Sequence, residues 1–384
     1  MASSRIDILI VGGGLSGGLI ALALAAKRPD LRIGIVESGA RFGGNHTWSS
    51  FESDVGAEGR ALAAPLIAHR WADYAVRFPA LGRRFNAPYQ SATSDRLHDA
   101  LCALPGLTRF MGVPVATVSP HAVTLADQRR IDVGAVLDAR GQRAAPHLRL
   151  GFQKFVGLEV ELEQPHGLSG PIIMDATVDQ LDGYRFVYTL PFTPATALIE
   201  DTYYADGDAL DRAAVAARVR AYAAAQGWRI ARVLRDEDGV LPIAIGGDIR
   251  AHLAALPAGI APVGMAAGLF HPVTGYSFPD AVRLALHIAG LSDLTGAAID
   301  RAARAYAIAR WEERGFYRML NKMLFKAALP GERWRVLQRF YGLDEALVAR
   351  FYAGHSNALD KIRILTGKPP VPLGRAIRAV MDAS

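Results

Sequence analysis

The chain of 384 residues is 51% hydrophobic and 21% charged, which supplies apolar surface for two cored domains and excludes a largely disordered chain. Its one cysteine, Cys102, excludes a disulfide framework, a CxxC redox pair and a cysteine zinc site, and fits a reducing cytoplasm. The formal net charge of +6 asks for an anionic partner: nucleic acid, an acidic substrate or a membrane face.

Ile6 to Val11 is a continuous apolar run that ends on Gly12, Gly13 and Gly14, so it reads as a buried strand entering a glycine turn. Leu15 to Ala26 follows as an Ala/Leu helix that stops before Pro29, and Leu31 to Val36 is a second short strand. Strand, helix and strand within about 30 residues make a βαβ unit and require a parallel sheet. No secretory signal precedes the first strand, and the apolar run Leu19 to Ala26 is far short of the roughly 20 residues that cross a bilayer. Ile131 to Leu137 runs into Asp138, Ala139, Arg140 and Gly141, and Ala261 to Gly268 is a third strand-to-glycine transition. Between them Lys154 to Leu162, Tyr184 to Leu190 and Thr196 to Tyr203 have the β-branched and aromatic character of one inserted antiparallel sheet. Ala209 to Gln226 is an alanine-rich helix, and beyond about residue 300 helical spacing dominates.

Gly12, Gly14 and Gly17 form GxGxxG directly after a strand and at the start of a helix. The first glycine permits the turn, the second lets backbone approach a pyrophosphate, and the third lets helix and strand pack closely. Glu37 closes the second strand 20 residues after Gly17, where a carboxylate accepts from a ribose hydroxyl. Arg41 is placed to reach adenine or phosphate, or to stand as a solvated loop arginine. The motif alone leaves NAD and FAD open. A nucleotide domain interrupted by an antiparallel sheet favours FAD, with the sheet covering the flavin ring. The expected fold is therefore α/β: a Rossmann-type FAD-binding domain from residues 1–84, 95–150 and 255–300, a sheet domain from 85–94 and 151–254, and C-terminal helices over 301–384. Gly141 ends the second nucleotide strand. Gly264 to Tyr276, followed by a helical run from Ser277 to Gly290, is a second cofactor signal. Its backbone donors and helix start are expected to face the flavin carbonyl edge beside Gly275 and Tyr276 and to favour an anionic reduced flavin.

Two acidic clusters fall on the inserted sheet: Asp175 with Asp179, and Glu200 with Asp201. Leu198 and Ile199 before Glu200, and Tyr203 and Tyr204 after it, make Glu200 the best candidate for a carboxyl in low dielectric; strand alternation sends Glu200 and Asp201 to opposite faces. A glutamate of ordinary pKa is protonated only about 0.2% of the time at pH 7, so an acid role needs a rise of ~3 units, on the order of 4 kcal/mol. A salt bridge to Arg185 or Lys154 is the alternative. His271, between Phe270 and Pro272, is placed either to move a proton or to make a structural bond within its loop. The sequence contains no HExxH, Gly-x-Ser-x-Gly or P-loop signature.

The chain resembles the bacterial lycopene β-cyclases along nearly its whole length. The resemblance is carried by DILIVGGGLSGGLIALAL at Asp7 to Leu24, GGNHTWS at Gly43 to Ser49, FQKFVGLEVEL at Phe152 to Leu162 and PIIMDATVDQLDGYRFVYTLPF at Pro171 to Phe192. It continues through LIEDTYY at Leu198 to Tyr204, GLFHPVTGYSFPDAV at Gly268 to Val282 and RFYAGHSNALDKIRILTGKPPVP at Arg350 to Pro372. The resemblance implies a flavoprotein that closes β-ionone rings on lycopene, through γ-carotene to β-carotene, without net redox change. It implies FAD in reduced form, with NADPH or another reductant as electron source. Glu200 falls on the family's acidic motif, as the acid that protonates the terminal double bond, and Asp175 on a second one. Glu200, Asp175 and the flavin stand as candidate bases. A flavin-dependent isoprenoid or polyene reductase, an aromatic hydroxylase-like monooxygenase and a membrane-bound FAD scaffold are the alternatives; Gly264 and Met265 lack the Gly-Asp pair that hydroxylases often carry.

The charge is not evenly spread. Residues 301–384 hold 16 Lys/Arg against 7 Asp/Glu, a net of +9, leaving −3 for the rest. Arg310, Arg314, Arg318, Lys322 and Lys326 recur every fourth residue with Phe316, Met319, Leu320, Met323 and Leu324 beside them, the pattern of a basic amphipathic helix on anionic lipid. The Phe-Tyr pairs at 316, 340 and 351 suit the interface. Nucleic acid has no supporting motif. The sequence thus predicts a cytoplasmic, peripheral membrane enzyme, with neighbouring carotenoid enzymes as further partners.

Overall fold

The computed structural model describes residues 6–141, 144–181, 183–366 and 374. The end of the last motif, with Lys368, Arg375 and Arg378, lies outside the described residues.

Ile6–Val11 is a buried strand because every side chain except Asp7 is apolar. It lies inside a seven-stranded sheet ordered Thr108–Met111, Ile33–Glu37, Ile6–Val11, Arg130–Asp138, Ala122–Leu125, Val115–Ser119, with Ala261–Pro262 alongside Arg130–Asp138. The first four and Ala261–Pro262 run parallel, and the last two form an antiparallel extension. Helix Leu15–Lys27 makes the crossover and packs against helix Phe278–Ala289 in one apolar core. Gly12 has φ +106°, and a Cβ there would lie 2.6 Å from the Ala139 carbonyl oxygen; at Gly17 it would lie 2.1 Å from that of Gly12. Neither position tolerates a side chain, as the fingerprint requires.

A second seven-stranded sheet is ordered Ile230–Gly247, Leu148–Leu162, Thr196–Ala205, Tyr184–Thr193, Ile172–Asp175, Tyr74–Phe78, Leu81–Phe85. Two of its strands, within residues 74–85, come from a stretch that the sequence reading gave almost wholly to the nucleotide domain; Tyr74–Phe78 pairs parallel to Ile172–Asp175. Strand Ile230–Gly247 lies within the expected sheet domain but is not among its expected strands; Arg232, Arg235, Asp236, Glu237 and Asp238 break the apolar pattern there. Helix Arg212–Ala225 covers one face of this sheet through Val219, Tyr222 and Ala223. The other face meets the C-terminal helices through an aromatic cluster that includes Phe186, Phe325, Phe340, Phe351 and Tyr352.

The predicted basic stripe is corrected by this packing. Helix Gly296–Glu313 ends before Arg314, and a new helix runs Gly315–Lys322. Arg314 is buried, with both guanidinium N–H groups 2.6 Å from the carboxylate of Asp280 and a further bond of 3.2 Å to the Phe270 carbonyl. Arg318 lies over the Trp311 ring at 4.2 Å, and Arg310 pairs with Glu313. The spacing is helical, but Arg314 is spent on the cofactor loop, Arg310 and Arg318 turn to Glu313 and Trp311 of the neighbouring turns, and Lys326 is exposed. Replacing Asp280 with Asn leaves Arg314 buried without its counter-ion and is expected to destabilise the fold by about 3 kcal/mol or more; urea denaturation measures it, and an unchanged midpoint contradicts the pair's structural role.

Candidate active site between the large sheet and the C-terminal helices

Strand register places four residues in one row across the large sheet. Tyr188 opposes Glu200, Glu200 opposes Gly157, and Gly157 opposes Glu237. Alternation sends Leu198 and Glu200 to the face that meets the C-terminal helices, and Ile199 and Asp201 to the face under helix Arg212–Ala225. On the first face lies a cavity of ≈ 260 Å³ lined by Phe155, Phe186, Leu324 and Phe340 among others, with Tyr188, Glu200 and Glu237 as its polar groups on the row. Asp201 instead forms a buried pair with Arg185 (Nε to Oδ2 2.8 Å). The salt bridge considered for Glu200 belongs to its neighbour.

Glu200 is half-buried, with its carboxyl facing the cavity. Burial, aided by the negative charge of Glu237, pushes it up to about 8, against a 2.6 Å hydrogen bond donated by the Thr202 hydroxyl. Glu237 is 3% exposed, and burial pushes it up to about 7, although Arg235 lies 3.8 Å away and the Thr47 N–H donates to it at 2.9 Å. Two carboxyls are therefore held near neutrality in one dry space. Tyr188 donates or accepts at 2.8 Å with Tyr89, which is 2.7 Å from the hydroxyl of Tyr276, linking the row to the cofactor loop.

The other sequence candidates fall elsewhere. Asp175 is buried on the opposite face, bonded by the Thr177 hydroxyl (2.6 Å), Tyr222 (2.9 Å) and Arg77 (3.4 Å), and it does not line the cavity. His271 holds its own loop: Nδ1 accepts from Val273 and Thr274, and Nε2 is 3.0 Å from the Phe351 carbonyl. Burial, helped by Arg314, pushes His271 down to about 3, so it stays neutral and has no proton to move. Gly275 and Tyr276 do line the cavity. The expected row of loop donors does not, since the N–H groups of Val273, Thr274 and Gly275 all turn back onto His271. Asn321 and Tyr204 brace the same loop, donating to the carbonyls of Pro272 (2.7 Å) and Val273 (3.0 Å).

At the glycine turn, a Cβ on Gly14 would meet nothing within 4 Å, so open space lies in front of the helix start. Glu37 accepts from the N–H of Gly13 (2.9 Å) at Oε2, and from the N–H of Gly39 (2.8 Å) and the Ser38 hydroxyl (3.2 Å) at Oε1, so Oε2 retains a lone pair for a further donor. Gly141 has φ +81° beyond the neighbouring strand. Arg41 is exposed and paired with Asp95 at 2.8 Å. Gln153 Oε1 is buried without a protein partner and would lie 3.3 Å from a Cβ on Gly275. A bare phosphate-sized opening and an unmatched acceptor beside Gly275 suit a dinucleotide whose ring carries N–H donors.

Sequence reasoning missed Glu237, Gly157 and Tyr188. The signal for Glu237 is parity: it shares strand phase with Leu241 and Ile243, both in the apolar interior, whereas Asp236 and Asp238 do not.

Residues 7–378 match the model of the family described as lycopene cyclase protein. A lycopene beta-cyclase of Pantoea ananas is 47% identical over 375 residues, covering 98% of each chain, and one of Paracoccus sp. (strain N81106 / MBIC 01143) is 48% identical over 377 residues, covering 98% of this chain and 97% of that one. Among solved structures, p-nitrophenol 4-monooxygenase of Pseudomonas putida DLL-E4 superposes with a TM-score of 0.60 at 16% identity, over 92% of this chain and 99% of that one. A geranylgeranyl bacteriochlorophyll reductase-like protein of Thermoplasma acidophilum gives 0.57 at 13% identity, over 98% and 96%. These two share the fold, that of Rossmann-type flavoenzymes; the sequence match over nearly the full length carries more, and by it the chain belongs to the lycopene cyclase protein family.

Proposed function

We propose that this chain closes the ends of lycopene into β-rings, by way of γ-carotene to β-carotene, as an acid-initiated isomerisation. The observation that carries the proposal is Glu200: a carboxyl pushed up to about 8 inside an apolar, aromatic cavity. Protonating an isolated double bond creates a tertiary cation, which demands a strong enough acid, the exclusion of water and nearby electron-rich groups. Glu200 is the acid, Phe155, Phe186 and Phe340 exclude water, and the faces of Tyr188 and Tyr276 are placed to stabilise positive charge.

FAD fits the residues present. Gly12, Gly14 and Gly17 would admit the pyrophosphate, Glu37 the adenosine ribose, and Gly275 with Gln153 the ring edge. When bound in reduced form, the flavin supplies negative charge beside the cation, with NADPH or another donor keeping it reduced. This chain's part is to hold the Gly268–Val282 loop rigid through Asn321, Tyr204, His271 and the Arg314–Asp280 pair.

Loading of a C40 hydrocarbon points to a membrane surface. Among the described residues no helix is long and apolar enough to cross a membrane. Helix Ala358–Leu365 exposes Leu359 (76%), Ile362 (57%) and Leu365 (48%) beside Lys361 and Arg363, and Leu365 also lines the cavity. We place the docking face there, on the cytoplasmic side, instead of on the 310–326 stripe.

Anaerobic incubation of the reduced, FAD-loaded enzyme with lycopene is expected to give β-carotene at unchanged mass; a product heavier by hydrogen or oxygen, or no conversion, contradicts the proposal. Glu200→Gln should lower the rate about 10²–10⁴-fold. Because Glu200 acts in its protonated form, the wild-type rate should fall as pH rises through about 8, and a rate that keeps rising there contradicts the acid role. Converting Leu359 and Ile362 together to Ser removes two apolar side chains worth about 2 kcal/mol each in lipid, so sedimentation with anionic vesicles should weaken about 10-fold or more; unchanged binding moves the docking face elsewhere.

A further inference from the structure

Of the side chains read from the sequence as candidate bases, only Glu200 lines the cavity, and it enters the reaction as the acid. Asp175 is on the wrong face of the sheet, and His271 is committed to its loop. What remains in the cavity is Glu237. Gly157 separates it from Glu200 in the row, and the absence of a side chain there is what lets the two acids share the space: an ideal Cβ on Gly157 would lie 3.3 Å from Glu237 Cγ and 3.5 Å from Glu200 Cβ. The two side chains thus approach within about 7 Å across a bare backbone. We propose that Glu237 is a second catalytic carboxyl, which removes the ring proton and shares one proton with Glu200 across Gly157. This rests on the cyclisation reading above.

The surroundings favour that division of labour. Glu237 is fixed by the Thr47 N–H and by Arg235, which is itself tied to Glu159 Oε2 (3.1 Å), Thr47 Oγ1 (2.8 Å) and the Asn45 carbonyl (2.7 Å). Thr47 comes from strand Thr47–Phe51, in a separate three-stranded sheet, and Glu159 from strand Leu148–Leu162, so a cation, a hydroxyl and a backbone N–H stabilise the charged form of Glu237. Glu200 has one hydroxyl, that of Thr202, with Asp201 behind it on its own strand and the neutral phenol of Tyr188 opposite. Of two like acids in one low-dielectric cavity, one keeps the proton and the other ionises. The better-served Glu237 is the carboxylate, and Glu200 carries the proton.

The cycle then balances. The Glu200 O–H bond breaks as a C–H bond forms at the terminal alkene. The next double bond attacks the cation, forming the ring C–C bond and leaving a ring cation. A ring C–H bond breaks, its electron pair becomes the ring double bond, and the proton goes to Glu237. Transfer from Glu237 back to Glu200 restores the start, with no oxidant, no reductant and no net proton.

The test begins with the reduced, FAD-loaded wild type and lycopene; failure to form β-carotene there removes the cyclisation reading and this one with it. With wild type active, Glu237→Gln, checked for bound flavin by absorbance, is expected to run about 10²-fold slower or worse. Its products should include equal-mass isomers with the ring double bond displaced, since the cation now loses its proton elsewhere, and Glu237→Asp should restore β-rings. Products of Glu237→Gln that are β-rings alone, at any rate, overturn the proposal. Should Glu237→Gln lose its flavin, the wild-type pH profile decides: one shared proton requires the rate to fall on both sides, and loss on the alkaline side alone overturns it.

Discussion

The proposed reaction depends on keeping one carboxyl, that of Glu200, uncharged. Glutamic acid in water is ionised at pH 7, and reversing that preference costs roughly 4 kcal/mol. The protein supplies it by desolvation: Glu200 projects from a sheet into an apolar cavity and finds no cation among its bonding partners, only the hydroxyl of Thr202. The neighbouring Asp201, one residue away, shows the opposite solution, a buried carboxylate fully matched by Arg185. Strand alternation alone separates a desolvated acid that faces the cavity from a structural ion pair.

The cavity needs apolar walls, and the C-terminal helices supply one of them through Leu320, Leu324, Leu337 and Phe340. Among the described residues two of their arginines, Arg314 and Arg333, are buried. Arg314 binds Asp280 and the Phe270 carbonyl, and Arg83, from the sheet, caps the helix end by donating to the carbonyls of Tyr341 and Leu343. Arg333, almost wholly buried, donates to the carbonyls of Phe325 and Tyr204. These long side chains stitch helices to the sheet where loop carbonyls would otherwise go unpaired. His271 serves the same end by organising the loop that brings Gly275 and Tyr276 to the cavity.

The parts of the fold legible in the sequence were those written in local pattern. The apolar run at Ile6–Val11, the glycines at 12, 14 and 17 and the helix behind them read directly, and so did the three β-rich runs of the inserted sheet. Glu200 was legible because its neighbours are apolar in both directions. What escaped is set by pairing at long range. Glu237 is one charge among many until its strand is docked beside Gly157, and Asp175 stands as a further candidate until the register shows which face it takes. The basic stripe from Arg310 to Lys326 has true helical spacing, yet the acid that claims Arg314 stands 34 residues away in the chain. Periodicity shows which residues share a face; it does not show what that face touches.

The central claim is that a carboxyl in the cavity is protonated at neutral pH. Infrared difference spectroscopy of the FAD-loaded enzyme, titrated from pH 6 to 9, with Glu200→Gln as the reference, reads it directly. The account predicts a carboxylic-acid carbonyl band present at pH 7 in the wild type, absent from Glu200→Gln, and lost as pH rises through about 8. A wild-type spectrum at pH 7 that shows only ionised carboxylate at this position would contradict it.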